Sequence, residues 1–171
     1  ASKDEIFTKI DKHSGRKNIK RSINRGVLIE QITDQNFPQF QELMNQQRLD
    51  QGKDELNFQL STNFWNLLKP LGYSGFLAKL NDKPIGGLLF SFPHKYIIEA
   101  SVARSKDDSE KNLYSQDLIK WNIIQWGIEN NMNFYDLAGA NPNPTTEKEK
   151  GILRYKKKWG GKEHEYYIIT K

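Results

Sequence analysis

The sequence predicts a mixed α/β domain, with a largely antiparallel sheet flanked by helices and a helical arm in front. Three observations predict it. Residues 76–80 and 85–91, joined by Asn81-Asp82-Lys83-Pro84, have the composition of a β-hairpin. Residues 96–102 supply a further strand, expected antiparallel to the second hairpin arm. A long helix over about 114–130 is followed closely by the apolar segment 134–138, the arrangement of a parallel crossover.

In chain order, residues 2–25 read as helix. Ser2 with Glu5 fits a capping box, and Ile6, Ile10, Ile19 and Ile23 fall near helical spacing. Ser14-Gly15 marks a break between two shorter helices, and Gly26 a stop. A short strand over 27–31 follows. Thr33 or Asp34 is the expected cap of a helix to about Leu49, with Phe37, Phe40, Leu43, Met44 and Gln47 on one side. Residues 50–60 are polar and loop-like. Ser61 or Thr62 caps a short helix carrying Phe64, Trp65, Leu67 and Leu68, which Pro70 and Gly72 end. Gly86-Gly87 in the hairpin imply a bulge or a close backbone approach. In the long helix Leu118, Trp121, Ile124, Gln125 and Ile128 line the inner face. The loop 139–145 holds Asn141-Pro142-Asn143-Pro144 and excludes regular structure. Thr146 with Glu149 offers a second capping box, opening a helix to about Lys158 that Gly160-Gly161 end. Residues 165–170 read as a closing strand.

The 171 residues fit one domain, with 1–25 as a basic helical arm and 26–171 as the body. The absence of cysteine excludes disulfides, thiolate metal sites and cysteine nucleophiles. It accords with a reducing compartment, and a cytoplasmic location is expected. His13, His94 and His164 show no ligand spacing, so no metal is expected. No apolar run approaches the ~18 residues a spanning helix needs. No signal peptide is visible, and a start at Ala1 implies a processed or internal end.

Charge is unevenly placed. Residues 1–25 carry eight Lys/Arg against three acids, and so do 148–171, while 26–147 carry ten against fifteen. Two ends of +5 bracket a body of −5. If the ends converge, they form a patch suited to a phosphate-bearing ligand; otherwise they are solvated helix faces.

Three stretches in order carry a resemblance. They are Arg16-Lys17-Asn18-Ile19-Lys20-Arg21-Ser22 with Gly26-Val27-Leu28-Ile29, then Asn133-Phe134-Tyr135-Asp136-Leu137-Ala138-Gly139, then Gly151-Ile152-Leu153-Arg154-Tyr155-Lys156-Lys157-Lys158-Trp159-Gly160-Gly161. Together they resemble the C-terminal half of Fem-type aminoacyltransferases, a branch of the GNAT acyltransferase fold. Tyr155 and Trp159 stand where that pattern has phenylalanines, and Ala138 where it has a glycine. The resemblance implies a GNAT-like body over 26–171. It also implies amide formation on an amine, with a peptidoglycan precursor as acceptor. The implied co-substrate is aminoacyl-tRNA or acyl-CoA, with no tightly bound cofactor. Fem-type enzymes pair two such domains, so a second GNAT-like half or a homodimer is the implied partner. The GNAT pyrophosphate loop, (Arg/Gln)-x-x-Gly-x-(Gly/Ala), has no counterpart: 104–115 holds no glycine and three acids.

Acyl transfer to an amine needs a neutral amine, donors for the oxyanion and a proton for the leaving group. The resemblance implies that Lys156 stands near the donor ester or acceptor phosphate as a fixed charge; alone, it reads as an exposed lysine in a basic helix. Tyr155 is a core aromatic or a phenol near the leaving group. Asp136 either orients the amine or caps the following turn. Arg154 either holds a phosphate or is solvated. Glu99 is a general base or faces solvent by strand alternation. Asn141 and Asn143 bind substrate or shape the proline loop. Tyr114 and Ser115 open the long helix, offering N–H groups to a donor's anion or merely capping it. Two other classes stay open: a nucleic-acid-binding module, supported by the basic ends, and a catalytically idle GNAT-like interaction domain.

Overall fold

In a computed structural model, which describes residues 2–165, the hairpin lies at the centre of the sheet. Its strands β2 (Tyr73–Leu80) and β3 (Lys83–Ser91) are joined by Asn81 and Asp82, both left-handed at φ 50° and 62°. That pair of positive φ values gives the tight turn whose twist matches paired strands. With β1 (Leu28–Gln31), β4 (Tyr96–Arg104) and β5 (Phe134–Asp136), the described strands form one sheet in the order β1-β2-β3-β4-β5. Every pairing is antiparallel except β4 with β5, the crossover expected from the sequence. The expected strand at 165–170 lies outside the described residues, apart from Glu165.

Both faces of the sheet are covered, which is why β2 and β3 read as apolar runs and not as alternation. On one face Phe76, Ala78, Leu88, Phe90 and Ile97 pack against α6 (Ser115–Glu129). On the other, Leu77, Leu89 and Ala103 meet Phe37, Phe40 and Leu43 of α3 (Phe37–Asp50) and Trp65 of α4 (Phe58–Leu68). Gly86 and Gly87 make the close approach anticipated for them. A Cβ on Gly87 would sit 2.6 Å from the Phe40 ring, and one on Gly86 2.3 Å from Ser115 Oγ.

Two helix starts differ from expectation. Helix α3 begins at Phe37, not at a Thr33 or Asp34 cap, because Asp34 is used elsewhere: it accepts from Trp65 Nε1 (2.8 Å) and pairs with Lys69 (2.6 Å). Helix α4 begins three residues earlier than Ser61, because Asn57 Oδ1 accepts from Leu60 N (2.8 Å) and supplies the cap.

The 1–25 segment contains α1 (Lys3–Lys9), a π-type turn over Lys12–Arg16 and α2 (Lys17–Asn24). Ile10 and Ile19 lie in the main core with Trp159, and Asp11 N donates to Lys158 O (2.7 Å). The two basic ends therefore meet. Helix α6 is sandwiched as a result. Its Gln116, Lys120 and Gly127 side faces the sheet, while Asp117 and Trp121 face the arm through Asn18 and Phe7. Helix α7 (Glu147–Lys157) follows the proline loop and carries the expected Thr146–Glu149 capping box.

Candidate active site

Parallel pairing of β4 with β5 ends at Ile98–Asp136, while β4 runs on to Arg104. The strands splay there and open a cleft of about 620 Å³, within the usual size of a small-molecule site. Glu99, Ala100, Val102 and Arg104 form one wall; Leu137, Ala138, Tyr155 and Lys156 form the other.

A bulge shapes the first wall. Leu89 pairs with Ser101 but Phe90 with Glu99, so Ala100 is an extra residue in β4. Ile97 and Glu99 consequently share the α6 face with Phe90, whereas Ala103 joins the α3 face. Glu99 thus points at α6 and not at solvent. Its Oε1 takes the ammonium of Lys120 and a hydrogen bond from Tyr135 OH (2.6 Å). The pair is nearly sealed, with side-chain exposures of 5% for Lys120 and 9% for Glu99. Burial pushes the Lys120 pKa down, against the opposing pull of Glu99. Burial and the Glu99 charge push the Tyr135 hydroxyl well up. Beyond the splay Gln47 of α3 binds the freed edge of β4, donating to Val102 O (3.3 Å) and accepting from Arg104 N (2.6 Å).

The second wall is set by α7, whose three consecutive lysines take three directions. Lys156 Nζ donates to Ala138 O (2.8 Å) and Gly139 O (2.6 Å), tying the helix to the end of β5. An ammonium has three N–H groups, so one is left for the cleft. Burial lowers its pKa, opposed by Glu99 and Asp136. Lys157 pairs with Glu163 at the surface (3.0 Å). Lys158 turns inward to Asp117, which also accepts from Asn18 Nδ2 (2.9 Å), so arm, α6 and α7 share one carboxylate. The Tyr155 ring lies 4.0 Å from Lys158 Nζ. Its hydroxyl lies beside Asp117 without the alignment of a hydrogen bond, and burial pushes it well up.

Of the residues singled out from sequence, Lys156, Tyr155 and Glu99 come together at the cleft. The others are placed differently. Asp136 Oδ1 accepts from Ala138 N (2.8 Å) and Oδ2 from Tyr96 OH (3.3 Å), so it shapes the turn after β5. Asn141 bonds Glu149 (2.9 Å) and accepts from Asn143 N (3.0 Å), holding the proline loop together. Arg154 is exposed and does not line the cleft. Tyr114 and Ser115 open α6, but Ser115 N donates to Asp108 Oδ1 (2.8 Å) and Ser115 is fully buried. Asp108 is itself fully buried and paired with Arg104. The start of the helix therefore already holds an anion of its own, and that N–H is not open to an external one.

Sequence reasoning missed Lys120, Asp117 and Tyr135. A signal existed for the first two: they are the only charged residues between Ser115 and Ile128. Among the described residues no cluster of His, Asp and Glu could hold a metal ion, and no helix is long and apolar enough to cross a membrane.

No family model matches the chain, and no curated protein matches it. Solved structures do. FemX superposes with a TM-score of 0.79 over 94% of this chain at 14% identity, and this chain spans 56% of FemX. An aminoglycoside acetyltransferase from an uncultured soil metagenomic sample, in complex with sisomicin, gives 0.62 at 16% identity, covering 86% of this chain and 99% of its own. AAC(6')-Iy, in complex with a bisubstrate analogue joining CoA to monomethyl-acetylneamine, gives 0.60 at 12% identity, covering 85% and 97%. The chain has the GNAT fold in the form FemX shares, as the sequence resemblance implied.

Proposed function

We propose that this protein is an N-acyltransferase of the Fem-like kind. In this reading it moves an aminoacyl group from its ester on tRNA to an amine of a peptidoglycan precursor in the cytoplasm. The observation that carries the proposal is the meeting of Glu99, Lys120 and Lys156 at the splay of β4 and β5. The likeness to FemX and to acetyltransferases supports the reaction type, and the Asp108 plug at α6 argues for an ester donor over a pyrophosphate-bearing thioester. A second GNAT-like half, or a second copy of the chain, completes the acceptor surface.

The chemistry follows from the groups present. Glu99, charged beside Lys120, takes a proton from the incoming ammonium. The freed amine attacks the acyl carbon, forming C–N, and the remaining N–H of Lys156 faces the oxyanion. Collapse breaks the ester C–O bond. The proton held on Glu99 passes to the departing ribose oxygen, and the amide nitrogen then gives up its second N–H proton through the regenerated Glu99 carboxylate to solvent, so the products are an amide, an alcohol and one released proton.

The test is transfer of labelled amino acid from charged tRNA, run beside labelled acetyl-CoA, with Glu99→Gln and Lys156→Met. The expected result is transfer from tRNA that both substitutions suppress. Turnover unchanged in both variants, or none from either donor, would overturn the reading.

A further inference from the structure

We infer that the solvent face of α2 is the surface on which the RNA body of the donor docks, feeding its acylated 3′ end into the cleft. This rests on the proposed reading and adds the place where the partner binds. Helix α2 buries Ile19 and Ser22 and exposes Lys17, Lys20, Arg21 and, at its C-cap, Arg25. Spacings of three and four put these cations on one stripe, along a helix of roughly 12 Å. The ammonium groups of Lys17 and Lys20 have no hydrogen-bond or ion-pair partner among the described residues. Arg21 and Arg25 flank the Tyr114 ring, each guanidinium 5.8 Å from its centre.

The stripe leads to the cleft. Arg25 donates to Lys111 O (2.9 Å) and to Asn112 O, at the end of the short helix α5 (Lys106–Glu110). Lys106 and Ser109 of that helix line the cleft mouth. Asp107, an acid on the way, is shared by Lys83 and Lys111 at 3.3 Å each, so it does not cancel the stripe. A row of cations with guanidinium forks suits successive phosphates. A surface that ends in a cleft suits a polymer whose terminus must enter, which an anionic membrane does not have.

The experiment is anisotropy of a labelled RNA hairpin with a single-stranded 3′ tail, titrated from 50 to 200 mM salt. The proteins are the unaltered chain, Lys17→Ala/Lys20→Ala/Arg21→Ala, and Lys148→Ala/Lys150→Ala/Lys162→Ala, which removes equal charge from the other basic end. Losing three phosphate contacts should flatten the log–log salt slope by about 2–3, so the unaltered protein should lose about 20- to 40-fold more affinity across that range than the α2 variant. The 148/150/162 variant should follow the unaltered protein. If the triple variant melts early, Lys17→Glu/Lys20→Glu replaces it. Equal weakening in both triple variants, no RNA binding at 50 mM, or tighter binding to phosphatidylserine vesicles than to RNA would overturn the inference. Turnover of a small aminoacyl ester by the unaltered protein, measured alongside, reports on the transferase reading alone.

Discussion

Replacing Asp117 by alanine tests the joint that holds α7, and with it the cleft wall, to the rest of the molecule. Asp117 and Lys158 have side-chain exposures of 5% and 9%, so neither ion is solvated once the other is removed. The substitution strands the Lys158 ammonium in the interior and leaves Asn18 Nδ2 without its acceptor. Breaking a buried pair in this way costs about 3–5 kcal/mol. For a chain of this size each kcal/mol lowers Tm by about 2–4 °C, so the fall should be about 6–20 °C. Urea unfolding of Asp117→Ala, Lys158→Met and the double variant completes the cycle. The double variant should cost clearly less than the sum of the singles, because no unpaired charge then remains. A loss under about 1 kcal/mol for Asp117→Ala, or strict additivity, would show that this joint is solvated and that the packing argument is wrong.

Lys156→Met should lower the rate of acyl transfer by about 10²- to 10³-fold in single-turnover kinetics, the range for removing one oxyanion donor. Glu149, bonded by Asn141, Thr145 and Thr146, has its carboxyl held at about 2 against an ordinary 4.5. Its support of the loop is complete above pH 4.5 and is lost as pH falls toward 2; a carboxyl ¹³C titration should show that midpoint, and Glu149→Gln should abolish acid sensitivity of the 139–146 loop. Gly87→Ala forces a methyl within 2.6 Å of the Phe40 ring and should cost about 1–3 kcal/mol by chemical denaturation, with the hairpin register unchanged in amide exchange.

The hairpin, the crossover and the second capping box were legible because each is written locally, in turn residues or in S/T-x-x-E spacing. The inner face of α6 was legible only in part. Leu118, Trp121 and Ile124 form a stripe that a single-sided helix would show, but Ile119 and Ile123 are fully buried while Ile124 is only half-buried, because this helix has packing on two sides. Periodicity cannot announce two partners at once. Lys156 and Tyr155 reached the cleft through a resemblance, not through spacing. Asp136 did not, because the side chain of a strand-ending aspartate can close a local turn without any distant partner. Lys120 escaped notice because its partner, Glu99, lies 21 residues away on a strand whose alternation is broken.

That break ties the proposed activity to architecture. Ala100 is one surplus residue, yet it lets a single strand serve two compartments: the buried Glu99–Lys120 pair before it and apolar packing after it. Excising Ala100 would reverse the parity of everything on one side. Either Glu99 would be driven toward the oily layer around Trp65, or Ala103 would leave it. Shortening by one residue there could not trade the proposed function for stability; both would go together.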